Sequence, residues 1–299
     1  MRVFLTGATG FIGTAVAEEL IGAGHSVLGV ARTDEGAKAL ANRGIEPHRG
    51  ELADHASFIA GAKACDATIH CAFIHDFSRF AENIEIEQQT VVAMLDALEG
   101  SNKPFVVSSG VALLAPGKVA TENDKAVAQG RGATENMVRD AASRGVRGAV
   151  VRLAPITHEA GTGGFLSPLV AAAQEKGVAA YIGDGANRWP AGHRRDAARV
   201  YRLAVEKGEP GAAYHPIGDE GVAARDIAAA IGKRLGLPTA SLSAEQAGEH
   251  FGWLGMFAAL DIPASSEITQ QQLGWRPSGE SLIEDIANAR ELVAARLSA

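Results

Sequence analysis

The 299-residue sequence has few cysteines, few aromatic residues and no concentrated positive charge. Cys65 and Cys71 are the only two cysteines and form neither a metal-binding nor a redox motif, so we expect a reducing, cytoplasmic setting. The nine histidines are dispersed without further ligands at metal spacing, and no metal site is predicted. A net charge of −7 and scattered lysines and arginines argue against a nucleic-acid partner.

Long apolar stretches are missing as well. No run approaches the roughly 20 residues that a membrane-spanning helix needs, so no membrane partner is expected. The first residues already have the pattern of a strand and lack a charged leader, which argues against a signal peptide. The expected partner is a small-molecule substrate, and a homodimer is left open.

The first thirteen residues carry the strongest motif of the chain. The apolar run Val3-Phe4-Leu5 is followed by TGATGFIG (residues 6–13) and then by a helical pattern. Gly7 permits a tight turn, Gly10 lets the backbone approach a pyrophosphate, and Gly13 lets the helix pack closely on a sheet. An ordinary glycine-rich turn is the alternative. A strand, this loop and a helix N-terminus predict a dinucleotide site, which also includes Thr9, Phe11 and Ile12.

The end of the second predicted strand indicates which dinucleotide binds. An acidic residue about 20 places after the glycine loop would bind the ribose 2′-hydroxyl of NAD. Ala31 stands there instead, followed by Arg32 and Thr33. A cation and a small hydroxyl suit a 2′-phosphate, so we predict NADP and regard NAD as less favoured. The alternative is that Arg32 is a solvated surface residue.

Strands alternate with helical patterns as far as Pro155. This order predicts an α/β fold with a Rossmann-type, doubly wound parallel sheet. Residues 44–54 are predicted to contain the third strand and the loop after it, the later strands are predicted at 66–73, 103–110 and 146–153, and the later helices at 80–98 and 124–144. We assign residues 1–155 to an NADP-binding domain, with about 196–209 returning to it. Residues 156–299 are predicted to form a smaller substrate-binding lobe, in which 157–164 and 181–193 are glycine-rich loops.

Several further motifs resemble those of the extended short-chain dehydrogenase/reductase family, which includes nucleotide-sugar epimerases and dehydratases. They are, with the glycine loop, GELAD (50–54), DATIHCAF (66–73), HRRDAA (193–198) and LGWRP (273–277). The resemblance implies that Asp196 caps a helix and that further cofactor contacts come from Glu51, Leu52, Cys71, Ala72, Phe73, Ser108, Arg131 and Pro155.

The family's catalytic residues are missing from the positions where the resemblance implies them. The family uses a tyrosine as proton donor, a lysine four residues later, and a serine or threonine on the fifth strand. With Glu135 as the reference, Arg131 takes the place of the lysine and Val127 that of the tyrosine, while Gly110 takes that of the serine. Valine cannot donate a proton, and Arg131 keeps only a cation able to bind ribose hydroxyls.

Three functions therefore stay open. The first is an NADP-dependent oxidoreductase acting on a small carbonyl or alcohol substrate with a different proton donor. Candidates for its catalytic groups are Ser109, His158, His193, Tyr181, Asp76 or ordered water. The second is a non-catalytic NADP-binding sensor or scaffold. The third is an epimerase or dehydratase acting on a sugar-like substrate. Residues 74–77, just after the fourth strand, are either a ligand-binding loop or an ordinary polar loop.

Overall fold

The fold is built around a seven-stranded parallel sheet. The computed structural model describes residues 1–74, 79–112, 114–290 and 292. The strands are β1 (Arg2–Thr6), β2 (Ser26–Ala31), β3 (Glu46–Arg49), β4 (Ala67–His70), β5 (Pro104–Gly110), β6 (Arg147–Leu153) and, after three strands outside this sheet, β10 (Ala213–Tyr214). Their order is β3-β2-β1-β4-β5-β6-β10, so the chain reverses direction across the sheet between β1 and β4. In such sheets the carboxyl edge at this reversal is where ligands bind.

Helices cover both faces of this sheet. One face carries α1 (Phe11–Gly22), α2 (Asp34–Ala41) and α7 (Arg194–Lys207), and the other carries α3 (His55–Ala64), α4 (Phe80–Ala97) and α5 (Arg131–Asp140). Because side chains alternate along a strand, Val3 and Leu5 of β1 enter one core while Phe4 enters the other. The predicted doubly wound α/β fold is confirmed.

Within the described part of the chain, a smaller lobe contains five other strands and five other helices. They are β7 (Ile156–His158), β8 (Ala179–Ile182), β9 (Arg188–His193), β11 (Asp219–Ala223), β12 (Thr239–Leu242), α6 (Leu166–Lys176), α8 (Ala224–Leu235), α9 (Ala247–Phe251), α10 (Gly255–Ala258) and α12 (Leu282–Asn288). Helix α11 (Glu267–Leu273) instead packs against α7 and β10, and its Leu273 lies in the core of the seven-stranded sheet. The order β11-β9-β7 makes a three-stranded sheet, and β12 pairs with β8. The segments predicted as glycine-rich loops thus contain strands, which is a correction: their runs are short and interrupted by glycine and proline, and only pairing with distant partners makes them strands.

The helix predicted over residues 124–144 begins only at Arg131. Before it, Asp124 closes a turn by accepting hydrogen bonds from the backbone N–H of Thr121 at 2.6 Å and from its hydroxyl at 3.1 Å. Gly130 then has a φ of 60°, which lies outside the helical region. This local turn chemistry overrides the helical composition of residues 124–130.

The cap of α7 is also a correction. His193 caps the helix, because its Nδ1 accepts the backbone N–H of Arg195 at 3.2 Å. Asp196 lies inside the first turn, where its carboxylate accepts the backbone N–H groups of Ser278 and Gly279, both at 2.9 Å. Asp196 therefore ties the chain after the LGWRP motif to α7. Within the described ranges, no helix is both long and apolar enough to cross a bilayer.

Candidate functional site

The glycine loop is packed so tightly that side chains would not fit. Gly7 has a φ of 68°, and a Cβ added there would lie 2.8 Å from the carbonyl carbon of Cys71. A Cβ on Gly13 would lie 2.0 Å from the carbonyl oxygen of Gly7. These contacts bring β1, the loop and α1 together at the carboxyl edge of the sheet.

The start of α1 presents unpaired donors to open space. Among the described residues, the backbone N–H groups of Phe11, Ile12 and Gly13 have no hydrogen-bond partner. A Cβ on Gly10 would meet nothing within 4 Å except the Gly7 carbonyl oxygen, at 3.2 Å. The first turn of α1 contains no acidic residue. Free N–H groups at the positive end of a helix dipole, with an open approach, fit a pyrophosphate.

Arg194, the first residue of α7, contacts this helix end. Its guanidinium carbon lies 4.5 Å from the centre of the Phe11 ring, and its Nε donates to the Phe11 carbonyl oxygen at 2.5 Å. It also donates to the hydroxyl of Thr14 and, at 2.6 Å, to Glu159. Hydrogen bonds from Arg194 and Arg195 lower the pKa of the Glu159 carboxyl, although burial acts in the opposite direction and is the largest single influence.

Two arginines stand at the carboxyl ends of β2 and β3. Arg32 is exposed and, among the described residues, has no hydrogen-bond or ion-pair partner. Arg49 lies opposite Ala31 in the strand pairing, donates to the Ala31 carbonyl oxygen at 3.4 Å and reaches within 3.6 Å of Asp34. The hydroxyl of Thr33 accepts the N–H of Gly36 at 3.1 Å and so caps α2. This corner therefore has two exposed cations.

Glu51 and Leu52 follow β3 and differ in exposure. Glu51 is exposed and its carbonyl oxygen accepts the N–H of Asp54 at 2.9 Å. Leu52 is buried, and its carbonyl oxygen accepts the hydroxyl of Thr90 at 2.5 Å.

The end of β4 is fixed to β1 beside the glycine loop. The Thr6 hydroxyl accepts the N–H of Ala72 at 3.1 Å and lies 2.9 Å from Nδ1 of His70. Burial raises the pKa of the Cys71 thiol to about 11, so it stays protonated near neutral pH and is a poor nucleophile. Residues 75–78 lie outside the described part of the chain, and with them the candidate Asp76 and most of the predicted loop at 74–77.

Arg131 occupies the carboxyl end of β5 from the first residue of α5. Its Nη2 donates to the Ser108 carbonyl oxygen and to Glu87, both at 2.8 Å, and its guanidinium lies 4.5 Å from the centre of the Phe73 ring. Glu87 is fully buried, and burial raises the pKa of its carboxyl against the opposing charge of Arg131. Nη1 of Arg131 has no partner among the described residues and can donate to a hydroxyl.

The two serines of β5 face opposite sides of the sheet. The Ser108 hydroxyl accepts that of Tyr201 at 2.6 Å and donates to the His70 carbonyl oxygen at 3.2 Å, so it is occupied on the α7 side. The Ser109 hydroxyl lies on the α4–α5 side and makes no hydrogen bond to any described residue. Ser109 is thus the available donor at this strand end.

The positions of the missing tyrosine and serine are open space. Val127 is 49% exposed, and Gly110 is exposed as well. A Cβ on Gly110 would meet only the Leu153 carbonyl oxygen, at 3.7 Å. Neither residue offers a proton, and Ser109 beside Gly110 is itself only 9% exposed.

The other proton-donor candidates are not brought together with Ser109. His158 has no exposed surface and its Nδ1 lies 3.2 Å from a carboxylate oxygen of Asp285, which gives no support to a role in proton donation. Half-buried His193 lines a groove with Arg195 and Asp285, and burial lowers its pKa. Tyr181 lies on β8 and lines an apolar cavity in the smaller lobe.

Pro155 is buried just after β6, and its carbonyl oxygen accepts the N–H of Phe165 at 2.8 Å. No group of three metal-binding side chains is found in the described residues.

Sequence reasoning missed three charged residues of this site: Arg49, Glu87 and Arg194. Each acts on a residue distant in the chain, through the pairing of β3 with β2, the packing of α4 on α5, or the packing of α7 on α1. No local motif marks them. The only signal available was in the HRRDAA segment, where Arg194 stands at a position that would be apolar in a strand.

Comparisons with known proteins agree with this architecture. The model of the NAD-dependent epimerase/dehydratase family matches residues 3–217. Two uncharacterized yeast proteins are similar over nearly their whole length. One from Schizosaccharomyces pombe is 42% identical over 96% of this chain and 99% of its own, and one from Saccharomyces cerevisiae is 43% identical over 96% and 98%.

A solved structure has the same fold at low identity. The dTDP-glucose 4,6-dehydratase of Streptomyces venezuelae, with NAD bound, superposes with a TM-score of 0.78 at 17% identity, over 99% of this chain and 97% of that one. Because the family model covers residues 3–217, the chain belongs to the NAD-dependent epimerase/dehydratase family.

Proposed function

We propose that this protein is an NADP-dependent oxidoreductase that interconverts a small carbonyl compound and its alcohol. The observation that carries the proposal is the unpaired N–H cluster of Phe11, Ile12 and Gly13, which lies on the same sheet edge as Arg131 and Ser109. A nicotinamide dinucleotide is the ligand expected in this family. When bound, it supplies or accepts a hydride. The residues of the chain would bind the dinucleotide, orient the substrate and donate hydrogen bonds to it.

Arg32 and Arg49 support the choice of NADP. Two exposed cations at the ends of neighbouring strands would stabilise a 2′-phosphate, and no carboxylate stands where NAD enzymes bind the ribose 2′-hydroxyl. Asp34 is paired with Arg49 at 3.6 Å, and Glu35 also lies in the first turn of α2. NAD in the Streptomyces structure is a property of that protein, which is only 17% identical.

Ser109 and water take over the missing catalytic roles in this proposal. The Ser109 hydroxyl would donate a hydrogen bond to the substrate carbonyl oxygen, because no described residue competes for it. Arg131 would hold ribose hydroxyls through Nη1 but would not relay protons, since its charge is permanent. The proton would come from solvent entering beside Val127 and Gly110.

The cofactor preference is tested by calorimetric titration with NADPH and NADH. The wild type should bind NADPH more tightly, and Arg32→Ser should reduce the ratio of affinities by at least about tenfold, as expected for a lost charge-assisted contact. The double variant Arg32→Ser/Arg49→Ser should reduce the ratio of NADPH to NADH affinity further. Arg43→Ser is a matched control, because Arg43 is an exposed surface residue paired with Glu18. Equal affinities for the two nucleotides would contradict the NADP proposal.

The reaction is tested with a panel of aldehydes and ketones while NADPH absorbance is followed. We expect oxidation of NADPH that depends on both the carbonyl and the protein, and that falls in Ser109→Ala. If the protein binds NADPH but oxidises it with none of the aldehydes and ketones, the proposed reductase activity is contradicted.

A non-catalytic NADP-binding sensor is the second candidate. Val127 and Gly110 favour it, because they stand where the family has its tyrosine and its serine or threonine and cannot perform the roles of those side chains. The same two experiments distinguish it, since a sensor binds NADPH and oxidises none.

A further inference from the structure

Four aromatic side chains form one cluster in the smaller lobe, although only 5% of the chain is aromatic. The ring centre of Phe165 lies 5.6 Å from that of Trp189, 5.5 Å from that of Trp253 and 5.3 Å from that of Phe257. We call these four residues the aromatic wall. Aromatic pairs at such distances hold one another in defined orientations.

The wall stands next to the carboxyl ends of β5 and β6. Phe165 is held against the end of β6, since its N–H donates to the Pro155 carbonyl oxygen at 2.8 Å. A Cβ on Gly164 would lie 2.3 Å from the same oxygen, so this close turn depends on glycine. On the β5 side, Ala112 packs on the core that includes Phe165, Trp189 and Phe257, and the N–H of Gly117 donates to the Asp261 carbonyl oxygen at 2.7 Å.

Part of the wall is rigid and part faces solvent. Trp189 is 3% exposed and its indole N–H donates to the Leu260 carbonyl oxygen at 3.1 Å. Trp253 is 41% exposed, and neighbouring Met256 is 71% exposed. Trp253 thus presents a partly exposed ring on an aromatic support in which Trp189 is buried and fixed by a hydrogen bond.

The charge near the wall argues against a phosphorylated substrate. Arg188, the cation beside Trp189, makes two side-chain hydrogen bonds to Asp261, at 3.0 and 2.9 Å. These contacts raise the pKa of Arg188 and lower that of Asp261, mainly through their hydrogen bonds. Arg188 is thereby neutralised, whereas a diphosphate would require uncommitted cations.

We propose that the aromatic wall binds the planar, uncharged aromatic part of the substrate, with Trp253 as its stacking surface. The inference rests on the proposed function and names its substrate class: aromatic aldehydes or ketones rather than nucleotide sugars. The carbonyl would extend from the wall toward Ser109, because Phe165 is bonded to Pro155, just after β6, and Ser109 lies at the end of the neighbouring strand β5.

Calorimetry on the NADP⁺-saturated full-length protein tests this proposal without turnover, because NADP⁺ cannot reduce a ketone. The probes are acetophenone, its saturated counterpart cyclohexyl methyl ketone, and UDP-glucose. We expect acetophenone to bind more tightly than the other two. Trp253→Leu should weaken acetophenone binding by about 2- to 12-fold and leave the saturated ketone almost unchanged, while Trp253→Phe should retain most of the affinity. Met256→Ala is the control and should have no effect.

Three results would overturn the wall as a substrate site: equal binding of the two ketones, preferential binding of UDP-glucose, or unchanged acetophenone affinity in Trp253→Leu. Failure of the proposed reductase function can be distinguished from failure of the aromatic wall as a substrate site. Acetophenone binding without reduction of any carbonyl by NADPH would support the wall and contradict the reductase. Reduction of aliphatic carbonyls by a protein that does not bind acetophenone would contradict only the wall.

Discussion

The guanidinium of Arg194 lies over the ring of Phe11, 4.5 Å from its centre, and donates to the Phe11 carbonyl oxygen. Phe11 is the first residue of α1, and Arg194 is the first residue of α7. The N-terminus of α7 therefore holds in place the helix end that we expect to bind the pyrophosphate.

Replacing Arg194 by Met should weaken NADPH binding by about 5- to 30-fold, because a loosened first turn aims its N–H groups less well. The measurement is a calorimetric titration, accompanied by thermal unfolding. Arg195→Met is the matched control: Arg195 also pairs with Glu159 but does not touch Phe11. A purely structural Arg194 would lower the melting temperature and leave the affinity for NADPH intact.

Arg131 and Glu87 make a second pair. Its contribution to stability can be separated from the proposed contact of Arg131 with the cofactor. Arg131→Met leaves the fully buried Glu87 without its cation, and we expect a loss of stability of about 3–5 kcal/mol. Adding Glu87→Gln should restore most of that stability, since the unpaired charge is then gone.

NADPH affinity should remain low in the Arg131→Met/Glu87→Gln double variant if Arg131 contacts the ribose. Denaturant unfolding and calorimetry on both variants measure the two quantities. Full recovery of NADPH binding in the double variant would show that Arg131 does not touch the cofactor.

Val127 and Gly110 make a direct test of the open proton-donor position possible. Val127 is half exposed and a Cβ on Gly110 would meet only one atom, at 3.7 Å, so both positions have room for a different side chain. The triple variant Gly110→Ser/Val127→Tyr/Arg131→Lys should raise kcat for a substrate of the wild type by at least about tenfold, which is less than the roughly 10²- to 10⁴-fold that a well-placed general acid contributes. A fall in kcat with unchanged NADPH affinity would indicate that the wild type already has a better donor.

Much of the nucleotide-binding half could be predicted because its signals are local. The spacing of Gly7, Gly10 and Gly13 specifies a turn within eight residues, and the helical periodicity that follows gives α1. The site's charged residues are different. Arg49 joins it through strand pairing and Glu87 through helix packing, and neither contact leaves a trace in the neighbouring sequence.

The smaller lobe was less predictable for the same reason. β8 and β12 are four residues each and lie about 60 positions apart, so only their pairing makes them strands. Residues 124–130 show the reverse error: their composition suits a helix, but the turn at Asp124 and the positive φ of Gly130 prevent one.

His215 should make stability depend on pH. It is fully buried, and burial lowers its pKa to about 3. Its Nε2 lies 3.3 Å from Nη1 of Arg152 and must accept there, because a guanidinium can only donate hydrogen bonds. The single proton of the neutral ring is therefore on Nδ1, which donates to the Ser265 carbonyl oxygen at 2.8 Å. The unfolded chain, with a histidine pKa near 6.5, binds more protons below that pH, so stability falls as the pH falls from about 6.5 toward 3.

Denaturant unfolding at several pH values compares the wild type with His215→Asn. The wild type should lose up to about 1.4 kcal/mol per pH unit more than the variant between pH 6 and 4. Parallel stability curves would contradict the buried neutral form of His215.

Transfer of deuterium from the nicotinamide C4 is the most direct test of the reductase. The protein is incubated with a pool of carbonyl compounds that includes acetophenone, together with NADPH carrying deuterium at C4 in each of its two configurations, and the alcohols are analysed by mass spectrometry. The account predicts an alcohol one mass unit heavier with one of the two labelled cofactors. Tight NADPH binding with no alcohol formed from any carbonyl would contradict it and leave a protein that binds the cofactor without using it.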